Sequence, residues 1–462
     1  MDVVVNAIYG AFQWLINAGV YVMLPVIITA LGLVFRLKLK DAFKAGITIA
    51  IGFAGINVVV QLMKDQIGPA AQAMVTNAGV QLDVLDVGWG AMAGVAWASP
   101  IVPFIVFEVL AINIVMLLIK KTNTLDVDIW NYHHLITAGV LTYFATNNLL
   151  YGLLASAIMA VITLKLADWS GPLVTHFFGI PGVTLPTASA TSSMIIAAPL
   201  NWVIDRIPGL NKVNSDMRAA KKYLGFFGEP WMIGLMLGIL IGVLAHYGIA
   251  AIIRLGVYMA AVMVLLPRMT SLFVEGLMPI SEAAQNWSMN HFGGRELNIG
   301  LDAAVVVGND SVITVALLMT PITLLLSIIL PGNRMLPFAD LAVLTFRVAL
   351  VVAICRGNMF RSVLISIFVI TAILYGGSAA AEYMTALATQ TGLDFGGQLV
   401  ASFTGPSLTQ TALVLWAFVK NPFVLIPLLI VVFIFVWWLI EHKIGMDKIE
   451  TYAAACDEMH ED

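Results

Sequence analysis

The chain has 462 residues, of which 60% are hydrophobic and 11% charged, with a formal net charge of −4. Soluble domains carry about a quarter charged residues, so this composition cannot cover a water-facing surface and excludes a soluble enzyme or binding module. The mean hydropathy of +0.95 and apolar runs of helix length, rather than short alternating strands, point to an all-α integral membrane protein.

In chain order, apolar runs between charged or Gly/Pro breaks predict spans near 18–35, 45–63, 101–119, 134–150 and 151–167. A second set follows near 231–248, 255–274, 312–330, 341–355 and 359–375, and a last span near 422–441, about eleven transmembrane helices in all. The start, MDVVVNAIYG, lacks the basic region of a cleavable leader, so the first spans serve as insertion signals. Lys and Arg accumulate on the cytoplasmic side. They follow the first span (Arg36, Lys38, Lys40, Lys44), the third (Lys120, Lys121), the ninth (Arg356, Arg361) and the last (Lys443, Lys448), and fill the central connection (Arg206, Lys212, Arg218, Lys221, Lys222). Placing them inside gives an external N-terminus and a cytoplasmic C-terminus, with Arg254 and Arg334 as exceptions.

The chain repeats itself. Lys44, Gly46, Asp65 and Pro69 correspond to Arg254, Gly256, Glu275 and Pro279, and Ser99 and Asp128 to Ser311 and Asp340. Ala188-Ser189 meets Ala401-Ser402. Five spans per half force the second half in upside down, so the expected organisation is a first repeat over 1–222, an inverted second repeat over 223–420, and a final span with an acidic cytoplasmic tail over 421–462. Inverted repeats place a transport site at their interface. Residues 65–100, 172–200, 275–311 and 395–410 mix apolar residues with Gly, Pro, Thr, Ser and Asp. Such backbone is tolerated at membrane depth only against protein or a water-filled cavity, which predicts re-entrant hairpins or broken helices lining a site.

Ionisable residues in these breaks are functional candidates. Asp86 (DVGWG) and Asp302 (GLDAA) can accept hydroxyls of a small ligand or cap a helix. Asn309 and Asp310 can bind hydroxyls or cap the eighth span. His133 and His134 (DIWNYHH) can move a proton near neutral pH or sit at the interface with Trp130 and Tyr132. Being adjacent, they point in different directions, so at most one is expected to face a site. Thr184, Thr187, Ser189, Thr191, Ser192 and Ser193 offer hydroxyls to a polyol or to freed backbone groups. Trp89, beside Asp86, can stack on a sugar, whereas Trp14, Trp97, Trp287, Trp416, Trp437 and Trp438 read as interface anchors. Cys355 and Cys456 fit neither a metal site nor a phosphocysteine site. No nucleotide-binding, hydrolase or zinc-protease motif occurs, and no metal, cofactor or nucleic-acid partner is expected.

The runs MLPVII, KLKDAFKAGITIAIGFAGI, GPAAQAM, DVGW, WAS and DIWN, then IDRIPGLNKV, FGEP, FGGRELNIGLDAAVVVG, PGNRMLPFADLA and RGNMFR, together resemble one family. It is the galactitol-type EIIC membrane subunit of the bacterial phosphoenolpyruvate-dependent sugar phosphotransferase system, and the resemblance covers nearly the whole chain. It implies the ascorbate-type EIIC fold: a homodimer whose scaffold domain holds the dimer while a core domain carries substrate by an elevator-like movement. It also implies a bacterial cytoplasmic (inner) membrane location and a polyol bound outside and presented inside. A separate EIIB protein, charged on a cysteine and served by EIIA, then phosphorylates the polyol. Carried over by motif, the ligand-facing positions are Asp86, His134, Thr187, Ser189, Asp302 and Asn333, with His134 or Asp302 assisting deprotonation of the accepting hydroxyl. The chain departs from the family at Gly308-Asn309, where relatives have Gly-His, and within 184–193, which leaves the identity of the polyol open. Two other readings compete: an ion-coupled secondary transporter using Asp86 and Asp302, and a non-transporting membrane scaffold.

Overall fold

The computed structural model describes residues 20–78, 82–126, 128, 130–209, 213, 226, 229–292 and 297–456. Trp14, the side chain of Trp287, Lys212, Arg218, Lys221 and Lys222 of the central connection, and the acidic end after Cys456 lie outside them. An apolar chain in a bilayer must satisfy its backbone internally, and helices dominate. The first half runs α1 (Val20–Val34), α2 (Leu39–Leu62), α3 (Gly68–Ala78), β1 (Val84–Asp86), α4 (Gly88–Trp97), α5 (Val102–Leu118), β2 (Thr124–Asp126), α6 (Tyr132–Thr146), α7 (Leu149–His176), β3 (Val183–Thr184) and α8 (Ala188–Ile204). The second runs α9 (Pro230–Leu244), α10 (Ile249–Phe292), β4 (Asn298–Gly300), α11 (Asp310–Ile329), β5 (Met335–Leu336), α12 (Leu344–Ile354), α13 (Met359–Gln390), β6 (Leu399–Ala401) and α14 (Thr409–Lys420). Two further helices close the chain, α15 (Pro422–Trp438) and α16 (Met446–Ala454).

Among the described residues, six helices are long and apolar enough to cross a membrane. A seventh span results if α4 and α5, bent by 98° at their junction, count as one. The expected eleven are not reached, because several apolar runs form short helices. α6 has 15 residues and α12 has 11, against about 20 needed to span the hydrocarbon. Residues 132–142 of α6 and 347–354 of α12 are buried on every side. A helix wrapped in protein is apolar all round, so its sequence reads like a lipid-facing span. By contrast, α15 buries none of its residues. Residues 275–292, expected to be broken, continue α10 as helix. Trp97, read as an interface anchor, is fully buried, as is Cys456.

The all-α expectation omits two small sheets among the described residues. Both are parallel and three-stranded, in the orders β5-β1-β6 and β2-β4-β3. β1 pairs Val84 with Met335 and with Leu399; β4 pairs Asn298 with Thr124, and Ile299 with Val183. Each sheet therefore takes its central strand from one half of the chain and both edges from the other. Outside the sheets, left-handed residues end equivalent helices: Arg36 after α1 and His246 after α9, 210 positions apart. The matched glycines also do matched work. A Cβ on Gly46 would lie 2.6 Å from the Pro25 carbonyl of α1, and one on Gly256 would lie 3.0 Å from Leu235 of α9, so both sit at close helix crossings.

Arg334, an exception to the charge pattern, is used locally: its Nε donates to Asp83 Oδ1 at 2.9 Å, tying β5 to the approach of β1. This guanidinium holds the Asp83 carboxyl below the usual carboxylate range. Gly300 sits at a tight point of the second sheet. A Cβ there would meet Pro186 at 2.8 Å, the Asp126 Cα at 3.0 Å and the Leu125 carbonyl at 3.2 Å. Because two of these atoms are backbone, Gly300→Ala is expected to cost about 1–3 kcal/mol. The melting temperature of the purified protein reads this, and an unchanged value would show that the strands can spread.

Candidate functional site

All six described strands are short, two or three residues each. Residues that follow them line one cavity: Trp89 after β1, Trp130, His133 and His134 after β2, Ser189 after β3, Asp302 after β4, Val343, Phe346 and Arg347 after β5, and Thr404 after β6. α6, α8 and α12 begin beside the cavity, directing the positive ends of their dipoles toward it. Trp89 and Trp130 meet edge to face at 5.4 Å between ring centroids, and Trp130 lies 5.0 Å from the His133 ring, which gives one aromatic wall.

Asp302 is held by a polar network. Its Oδ1 accepts from the Ala304 N–H at 2.8 Å, and its own N–H donates to Asp128 Oδ2 at 3.3 Å. Thr187 does not line the cavity but stands behind Asp302: its hydroxyl donates to Asn131 Oδ1 at 2.8 Å and approaches Asp302 Oδ2 at 3.5 Å, while accepting from the Ala303 N–H at 2.8 Å. Both histidines line the cavity, contrary to the expectation that only one would, because the first turn of α6 ends at its wall. A carbonyl can only accept, so His133 Nδ1–H donates to the Trp130 carbonyl at 2.7 Å, which leaves Nε2 as an acceptor in the neutral ring. His133 Nε2 and His134 Nδ1 have no hydrogen-bond partner within the protein.

The other sequence candidates lie apart from the cavity lining. Asp86 is fully buried, and its carboxylate accepts from the N–H groups of Gly88 (3.0 Å), Phe338 (3.0 Å) and Asp340 (2.9 Å). Asn309 caps α11, accepting from the N–H groups of Ser311 and Val312. Asp310 is the first residue of that helix. Asn333 shapes the turn into β5: its Nδ2 donates to the carbonyls of Ser327 (2.8 Å) and Met335 (3.0 Å).

Comparison with known proteins shows the family of the chain. The family described as the PTS system sugar-specific permease component, EIIC-GAT, matches residues 15–398. The chain belongs to the EIIC-GAT family. It is 36% identical over 390 residues to the PTS system galactitol-specific EIIC component of Escherichia coli K12, covering 84% of this chain and 86% of that protein. The galactitol-specific EIIC component of Escherichia coli O157:H7 matches equally well. As an EIIC-GAT permease component, the chain is a multi-pass membrane protein.

Sequence reasoning overlooked half the lining of this EIIC-GAT cavity. Thr404, Val343 and Phe346 carry no signal in a chain rich in such residues, and Trp130 was weighed only as an interfacial residue. Arg347 did carry one: a lone Arg within the apolar run read as the span 341–355, where ionisable residues are rare and marked for function.

Proposed function

We propose that this EIIC-GAT chain binds a galactitol-like polyol in the cavity and presents it to a separate EIIB for phosphorylation. The convergence of residues following all six described strands on one aromatic-walled, hydroxyl- and carboxylate-lined cavity carries the reading. In it, Asp302 accepts substrate hydroxyls, Ser189, His133 and His134 exchange hydrogen bonds with them, and Trp89 packs on the carbon skeleton. Thr187 steadies Asp302, while Asp86, Asn309, Asp310 and Asn333 hold the frame. During transfer, the terminal hydroxyl oxygen bonds to phosphorus as the sulfur–phosphorus bond of EIIB breaks. The hydroxyl proton passes to Asp302 or His134, and the cysteine leaves as thiolate.

The reading extends to architecture. Residues 1–222 and 223–420 form inverted repeats, supported by the reciprocal strand pairing and the matched helix ends. The mutually packed α1, α2, α9 and α10 suit a scaffold, and the elements around the cavity suit a core that moves as an elevator. α6 and α12 then act as half-length re-entrant helices among the eleven apolar segments. A homodimer in the bacterial inner membrane, with N-terminus outside and C-terminus inside, completes the proposal. In proteoliposomes supplied with phosphorylated EIIB inside, labelled galactitol is expected to accumulate as its phosphate. Uptake of unmodified galactitol driven by a sodium or proton gradient, without a phosphoryl donor, would overturn the proposal in favour of a secondary transporter.

A further inference from the structure

Arg347 occupies the first turn of α12 and is only 2% exposed. It lines the cavity, yet its Nε and Nη1 make no hydrogen bond within the protein. The carboxylates whose charge acts on it are those of Asp340, Asp86 and Asp302, and all three are engaged elsewhere. Asp86 takes three backbone N–H groups, Asp340 takes those of Trp89 and Phe403, and Asp302 takes that of Ala304. A buried guanidinium with idle donors is costly, and a cation in the first turn of a helix is opposed by the helix dipole. Stability alone therefore does not account for this residue. Buried donors left open at a cavity wall are completed by what enters the cavity.

We propose that Arg347 is a substrate-binding residue of the cavity, donating from Nε and Nη1 to hydroxyl oxygens of a neutral polyol whose hydroxyl hydrogens are accepted by Asp302. The inference rests on the polyol reading above and adds the donor half of the site. A hydroxyl both donates and accepts, so a molecule with several hydroxyls can use the anionic and cationic groups at once. An alkane-like ligand of the same size would leave the Arg347 donors and the remaining acceptor capacity of Asp302 unused, which disfavours it strongly.

The test uses the full chain, purified in detergent, with galactitol as the probe. Binding is measured by calorimetric titration, and melting is measured with and without galactitol. Arg347→Met is expected to weaken galactitol binding about 10- to 100-fold, the worth of a charge-assisted hydrogen bond or two. Its unliganded melting temperature is expected to equal or exceed that of the wild type, because an apolar chain replaces a buried guanidinium with two unsatisfied donors. Arg347→Gln, which keeps donors without the charge, guards against a Met variant that fails to fold and is expected to lose less affinity. A fall in the unliganded melting temperature of both variants would assign Arg347 a structural role and overturn the inference, whatever the affinity. Wild-type affinity in both variants would overturn it too, leaving the polyol reading intact. If the wild-type protein binds neither galactitol nor any other hexitol or pentitol, the polyol reading fails and this inference with it.

Discussion

Asp302→Asn is expected to lower galactitol affinity about 100-fold and to abolish phosphorylation-coupled uptake, while leaving the melting temperature of the unliganded protein unchanged. The substitution is nearly isosteric, and Asn can still accept the Ala304 N–H through its Oδ1, so the turn after β4 keeps its cap. What is lost is the anionic acceptor at the cavity wall. Hydrogen bonds to a charged group are worth about 1.5–3 kcal/mol each, so losing two hydroxyl contacts accounts for roughly two orders of magnitude. Titration calorimetry and uptake into vesicles separate two roles. Lost binding makes Asp302 an anchor, whereas retained binding with lost phosphorylation makes it the proton acceptor. A variant that binds and transports like the wild type would remove Asp302 from the site.

The sequence reveals the parts of this molecule that depend on composition and order, and conceals those that depend on what surrounds a segment. The proposed 210-residue recurrence has like backbone events at matching positions: Arg36 and His246 end helices in the left-handed conformation, and Gly46 and Gly256 sit at helix crossings. The Gly/Pro/Asp breaks are legible as interruptions, and Trp89, Ser189 and Asp302 within them do meet, together with His133 and His134 from a span start, at one cavity. The strands are not legible. Two or three residues buried on both faces, such as Val84–Asp86, produce no alternation. Strand position also separates two residues that sit in similar Gly-flanked sequence. β1 and β4 start at Val84 and Asn298, so the counterpart of Asp302 is Gly88 and that of Asp86 is Gly300. The two carboxylates look alike in sequence but hold different places, one within a strand and one beyond its end. Span counting fails at α6 and α12 because an apolar run has the same composition whether lipid or protein surrounds it. Lys165, inside the predicted span 151–167, shows that a buried charge need not serve a ligand: it pairs with Asp168 at 3.0 Å and Glu441 at 2.7 Å.

Asp86→Ala is expected to act through the fold. Asp86 belongs to a strand of the first half, but two of the three N–H groups it accepts, those of Phe338 and Asp340, belong to the second. Asp340 returns the arrangement, accepting from Trp89 of the first half at 2.8 Å and from Phe403 at 2.6 Å. These two carboxylates clamp the exits of β1, β5 and β6 together, and those exits position Trp89, Arg347 and Thr404. Removing the Asp86 carboxylate strands three buried donors, at about 1–3 kcal/mol each. Their sum is a large share of the roughly 5–15 kcal/mol that separates folded from unfolded protein. The expected result is poor recovery of folded protein or a melting temperature lower by several degrees, with galactitol affinity reduced because the cavity wall is displaced. Asp86→Asn retains one acceptor oxygen and is expected to recover part of the stability. The contrast with Asp302 is the decisive feature: Asn at 302 spares the fold and loses the ligand, whereas Ala at 86 loses the fold first. If Asp86→Ala melts like the wild type but no longer binds galactitol, then Asp86 touches the ligand in another conformation of the permease, and its backbone contacts are incidental.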